Sequence, residues 1–165
     1  MIVSLTGTPG TGKTSVSEHL SGFEVIDLTG FVKEYGLGDS SGSEFEVDIN
    51  EMKQKLDEEI DKDKDILIEG HLSHHFPADY CVVLRCDPEE LEQRLEKRDY
   101  DEEKIQENVE SEMLDVILTE AAGLQENIIE VDTTGREPEE VAEEIEKRIE
   151  NEETGYGEVD WTGRL

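Results

Sequence analysis

The stretch Gly7-Thr8-Pro9-Gly10-Thr11-Gly12-Lys13-Thr14 decides the reading of this 165-residue chain. It matches G-x-x-x-x-G-K-[ST], with an apolar β-rich run at 2–6 before it and a helical pattern at 14–21 after it. Each residue type has a physical task. Glycine lets backbone N–H groups turn toward phosphate oxygens with no Cβ in the way. A helix start adds partial positive charge. Lys13 brings a point charge to the β- and γ-phosphates, the Thr14 hydroxyl suits Mg²⁺, and Ser15 can add a phosphate hydrogen bond. A glycine turn that binds nothing is the bland alternative, and the strand–loop–helix context argues against it.

Outward from that loop, apolar runs alternate with helical patterns. Residues 24–28 (EVIDL), Ile66–Glu69 (ILIE), Tyr80–Arg85 and 127–132 (NIIEVD) join residues 2–6 as five strands. Asp48 caps a helix running to about residue 61, and Asp87-Pro88 opens another through Arg98. Ile105, Val109, Met113, Val116, Ile117 and Leu118 form a stripe that predicts one helix over 102–122. A final helix covers Pro138–Glu150. Residues 31–35 are expected as a helical turn, 36–43 as a Gly/Ser loop, and 154–165 as a loose tail carrying Trp161. The alternation predicts an α/β fold of three layers, a five-stranded parallel sheet covered on both faces. One domain is expected over 1–151, with a tail at 152–165 and mobile flaps near 28–51 and 98–108.

The charge narrows the partners. Lys and Arg number 15 against 45 Asp and Glu, a formal net charge of -30. Spread over about 8,300 Å² of folded surface, this leaves one uncompensated negative charge per ~280 Å². Such a surface repels a phosphate backbone, so direct nucleic-acid binding is not expected. The apolar residues cluster and the acids are dispersed, which argues against disorder. A halophilic cytoplasm is the expected setting, since the Debye length shrinks to ~3 Å at 1 M salt. Cys81 and Cys86 read as reduced thiols. Residues 1–5 are too short for a signal-peptide core and no apolar run approaches a membrane span, so a cytoplasmic monomer without membrane contact is expected.

Other residues stand out around the loop. Glu69 ends the ILIE run and precedes Gly70-His71. A carboxylate at a strand end beside a phosphate loop suits Mg²⁺, although Glu is common in this chain. His71, His74 and His75 lack the regular spacing of a zinc site and read as cleft lining; His19 reads as structural or solvent-facing. Arg94 and Arg98 share a helix face, and an ion pair with Glu90 would explain Arg94 alone. Arg98, at the edge of a flap, reads as a clamp on transferring phosphates.

Four stretches together resemble the nucleoside monophosphate (NMP) kinase superfamily. They are LTGTPGTGKTSVS at 5–17, VIDLTGFVKEYGL at 25–37, ILIEGHLSHH at 66–75 and VVLRCDPEELEQRLEKRDYDEEKIQENVESEMLDVILTEA at 82–121. VDW at 159–161 also fits. The similarity is closest to archaeal adenylate kinases related to the eukaryotic nuclear adenylate kinase isoenzyme six, a family that doubles as a ribosome-assembly ATPase late in small-subunit maturation.

The resemblance implies a P-loop fold with an NMP-binding segment near 28–51 and a short lid near 98–108. It implies ATP contacts at Gly10, Gly12, Lys13, Thr14, Ser15 and Arg98. It places Mg²⁺ on Thr14 and Glu69, and catalytic roles on Lys13, His71 and Arg98. Glu69 stands where the eukaryotic members have Asp. No Arg precedes Arg85, so Lys33, Arg85 or backbone groups are left to hold the monophosphate. Two outputs are expected: a broad NMP kinase using ATP, or an ATPase switch that docks a basic small-subunit ribosomal protein.

Overall fold

The computed structural model describes residues 1–39 and 46–165; residues 40–45 of the expected Gly/Ser loop lie outside the described residues. The strands are β1 (Ile2–Gly7), β2 (Glu24–Asp27), β3 (Gly38–Asp39), β4 (Glu46–Val47), β5 (Ile66–Glu69), β6 (Tyr80–Arg85) and β7 (Ile128–Asp132). The helices are α1 (Lys13–Ser17), α2 (Leu28–Glu34), α3 (Ile49–Glu59), α4 (Pro88–Glu96), α5 (Glu102–Met113), α6 (Val116–Leu124) and α7 (Pro138–Glu150). The five long strands form one parallel sheet in the order β2-β5-β1-β6-β7. β3 and β4 pair separately, antiparallel, so part of the expected loop at 36–43 is a short ribbon.

Strand periodicity divides the core. Val3 and Leu5 of β1, with Val82 and Leu84 of β6, pack with Val16 of α1 and with Val141, Ala142 and Ile145 of α7. Cys81 and Val83 point the other way, toward Leu118 and Ala121 of α6. Ile66 and Ile68 meet α2 and α3 through Leu28, Val32, Met52 and Leu56. A smaller cluster joins Leu91 and Leu95 of α4 to Ile105 and Val109 of α5.

The strand order places the cleft. β1 lies between β5 and β6; the crossover after β1 runs to β2 on one side of it, and the crossover after β5 runs to β6 on the other. Open α/β sheets bind ligands outside the strand ends at such a switch point. The loop Gly7–Thr14 begins there, and Glu69 of β5 lies in register with Asp27 of β2 beside it.

Two local expectations change. The predicted helix over 102–122 is broken: Asp115 adopts φ 55° between α5 and α6. Aspartate tolerates the left-handed region better than most residues. Here its carboxylate is held by Arg85, which fixes the turn that an apolar stripe cannot report. The loose tail is instead docked. Gly155 N donates to Ile128 O at 2.7 Å and Glu130 N donates to Gly155 O at 3.1 Å, which covers the β7 edge. No helix among the described residues is long and apolar enough to cross a membrane.

Candidate active site at the phosphate loop

Gly12 sits at φ 105° as the N-cap of α1, a conformation that strains any residue with a Cβ. Gly10 has a packing reason as well: a Cβ there would lie 2.9 Å from methyl carbons of Leu91 and Leu95. The loop is braced from outside. Arg94 Nη1 donates to Gly10 O at 3.3 Å and to Thr11 O at 3.2 Å, while its Nη2 donates to Thr133 O at 3.1 Å. Arg94 also pairs with Glu90, so the ordinary ion pair exists and the guanidinium does more than complete it.

Lys13 is folded back into the loop. Its Nζ donates to Gly7 O at 2.8 Å and Thr8 O at 3.2 Å. Burial lowers its pKa to about 8, with nearby Glu69 opposing the shift. Thr14 Oγ1 donates to Glu69 Oε1 at 3.4 Å. Burial and Asp27 raise the Glu69 pKa, and Lys13 opposes them. Asp27, Glu69 and the Thr14 hydroxyl thus place hard oxygen donors together, a set that suits Mg²⁺ rather than a softer ion.

A cavity of about 620 Å³ brings together Lys13, Thr14, Glu69, His71 and Arg98. Gly10 and Arg98 also line an adjoining cavity of about 360 Å³, with Gly12, Ser15 and Arg136. On the opposite side, Thr29, Gly70 and His71 are shared with an apolar cavity of about 500 Å³. Leu28, Val32, Val47 and Ile49 line it, and Lys33 is its lysine. The site residues from the sequence therefore meet in one cleft, with Gly12 and Ser15 on one flank. The His71 ring is exposed along the cleft, yet its walls and Lys13 disfavour a charge and lower its pKa to about 4.

Arg85 does not reach this cleft, which removes it as a holder of the monophosphate. It is 1% exposed and enclosed by Glu112, Glu130 and Asp115. A guanidinium desolvated this far is held by its carboxylates. The structure instead brings in Asp27, Tyr100, Lys104 and Asn108. Lys104, Asn108 and Ser111 are spaced i, i+4, i+7 on α5, a signal that was readable once that face was known to line a cavity.

His74 and His75 meet Glu120, but His74 is already satisfied. Its Nε2 lies 2.8 Å from Glu120 Oε2 and its Nδ1 lies 2.8 Å from Thr6 Oγ1. The carboxylate accepts from Nε2–H, which leaves Nδ1 to accept from the Thr6 hydroxyl. Gln125 Nε2 ties the same turn down by donating to His74 O and Phe76 O, each at 2.8 Å. His19 is exposed on the surface after α1.

Comparison with known proteins agrees with this frame. The family model described as AAA domain matches residues 3–115. The chain is 46% identical over 166 residues to a protein of Pyrococcus furiosus named "Putative adenylate kinase", covering 98% of this chain and 92% of that one. A protein of the same name from Methanocaldococcus jannaschii is 41% identical over 168 residues, covering 98% and 93%. This chain belongs to that archaeal adenylate kinase family. The fold extends further than the family does. Shikimate kinase from Acinetobacter baumannii superposes with a TM-score of 0.65 at 17% identity, covering 92% of this chain and 94% of that one. Deoxyadenosine kinase from M. mycoides gives 0.60 at 14% identity, covering 93% and 100%. At such identities the likeness concerns the fold alone.

Proposed function

We propose that the chain is a broad-specificity adenylate (NMP) kinase that transfers the terminal phosphate of ATP to AMP or another NMP, with ATP hydrolysis as a second output. The observation that carries this reading is the row of three connected cavities. Two compartments flank a central one, and the central one holds Lys13, Glu69, His71 and Arg98. Transfer between two nucleotides needs that arrangement: a base site at each end and the phosphates between. The apolar walls Leu28, Val32, Val47 and Ile49 suit a planar base better than a small polyol acid.

The residues then divide the work. The loop backbone and Lys13 would hold the ATP phosphates, once Lys13 exchanges Gly7 O and Thr8 O for phosphate oxygens. Thr14, Glu69 and Asp27 would hold Mg²⁺, which when bound neutralises charge on the β- and γ-phosphate oxygens. Arg98, without an ion-pair partner among the described residues, lines the central cavity and the flanking one beside Ser15, and would follow the transferring group. Lys104 and Lys33 are the cations left for the acceptor phosphate, since Arg85 is locked away. Closure of the 98–108 segment would align these groups and exclude water.

A second reading rests on a specific observation. The acceptor side is poor in cations, and neutral His71 keeps a lone pair that can accept a hydrogen bond from water. An ATPase switch in small-subunit assembly, docking a basic ribosomal protein on the acidic surface, fits those features. The discriminating experiment is a product assay in molar KCl with AMP, GMP, CMP and UMP. NMP-dependent formation of nucleoside diphosphate supports the kinase. Unchanged ATP hydrolysis, with retention of a basic ribosomal protein, supports the switch. The halophilic setting has its own test: the melting temperature should rise steeply from about 0.1 M to about 3 M KCl, and a flat profile would contradict it.

A further inference from the structure

We propose that the C-terminal segment is part of the nucleotide-binding machinery, with Trp161 and Glu112 acting as positioning residues that set Thr8 of the phosphate loop. The inference rests on nucleotide binding at that loop and not on which acceptor is used.

Glu112, on α5, is 2% exposed. Its Oε1 accepts from Thr8 Oγ1 at 2.9 Å. Its Oε2 accepts from Arg85 Nε at 3.0 Å, Cys86 N at 2.9 Å and Trp161 Nε1 at 3.2 Å. A buried carboxylate is tolerated only when its lone pairs are used, and here four donors from three regions use them. One donor belongs to the phosphate loop, two to the end of β6, and one to the tail.

The tail is placed by the same network. Arg85 Nη1 donates to Glu130 Oε2 at 2.9 Å, and Glu130 Oε1 accepts from Gly157 N at 2.9 Å and Val159 N at 3.4 Å. Arg164 pairs with Asp87 at the start of α4. Trp161 is thereby delivered to Glu112 from a strap that is fixed on both sides. α5 also carries Lys104 and Asn108, which line the central cavity. A movement of the loop on nucleotide binding therefore passes through Thr8 and Glu112 and reaches the indole.

Trp161 is the one tryptophan in the chain, so its emission reports this contact directly. The experiment uses the full chain and MgATP, with ATP retention measured in parallel by equilibrium dialysis. MgATP should change the Trp161 emission of the unaltered protein. In Thr8→Val, which keeps the shape and removes the hydroxyl, retained ATP should leave the emission nearly constant. Trp161→Phe keeps the ring packing and removes one donor. Its KM for ATP should rise roughly two- to tenfold while kcat stays within about twofold, the range expected for one lost hydrogen bond. Retained ATP with a constant spectrum in the unaltered protein overturns the relay alone, as does an equal response in Thr8→Val or an unchanged KM in Trp161→Phe. Failure to retain ATP overturns both the relay and the nucleotide-binding reading.

Discussion

Two clusters of opposite charge lie close together in this fold and behave in opposite ways. In the cleft, Lys13 faces Glu69 and Asp27 and spends its donors on loop carbonyls. At the end of β6, Arg85 is closed in by Glu112, Glu130 and Asp115, and each of those carboxylates is held by it. The first cluster borders a cavity, where Asp27 and the Thr14 hydroxyl are exposed and a ligand can reach them. The second is complete without one. Residue type does not separate them; the supply of internal partners does. A buried ion pair that satisfies itself is architecture, and one left partly unsatisfied at a strand end is a site.

Substitutions can break or sharpen this contrast. Lys13→Ala should lower turnover on the order of a hundredfold or more with little loss of melting temperature, because it removes charge from phosphates rather than from the core. Full activity in that variant would take the loop out of the mechanism. Arg85→Met should act on stability first. It leaves Glu112 and Glu130 buried without their cation, a loss of about 3–5 kcal/mol in unfolding free energy by denaturant titration. A normally stable Arg85→Met chain would show that the second cluster is not structural.

His71→Ala should reduce kcat by about 10²-fold, the lower range for a positioned proton acceptor, and leave ATP retention unchanged. An unchanged kcat makes His71 a bystander. Lys104→Ala should raise the acceptor KM roughly two- to fivefold, as expected for an exposed charge contact.

pH separates the clusters once more. The folded pKa of Lys13 is lowered from 10.5 to about 8, so burial of its charge costs stability below about 8. That cost fades as the pH rises from about 8 toward 10.5. The apo protein should therefore gain stability from Lys13 over the same window in which it loses affinity for ATP. Melting and ATP retention falling together there would contradict the assignment. His71, with its pKa lowered to about 4, should stay neutral through the range where an ordinary imidazole becomes charged.

The sequence carried the open cluster well and the closed one poorly, for a physical reason. The phosphate loop and the Glu69-Gly70-His71 turn are contiguous, so their spacing is written along the chain. The five strands were legible because apolar runs alternate with helical stripes. Arg85 read as a free cation because burial is set by partners 27 to 45 residues away. The break at Asp115 and the docking of the tail depend on the same distant contacts. Asp27 gained its meaning only when register placed it beside Glu69.

The most direct test of the account counts ADP formed per ATP consumed by the unaltered chain in molar KCl, with and without AMP. Transfer across the central cavity predicts two ADP for each ATP, formed at a rate that depends on AMP. One ADP and one free phosphate per ATP, at a rate indifferent to AMP, would contradict it.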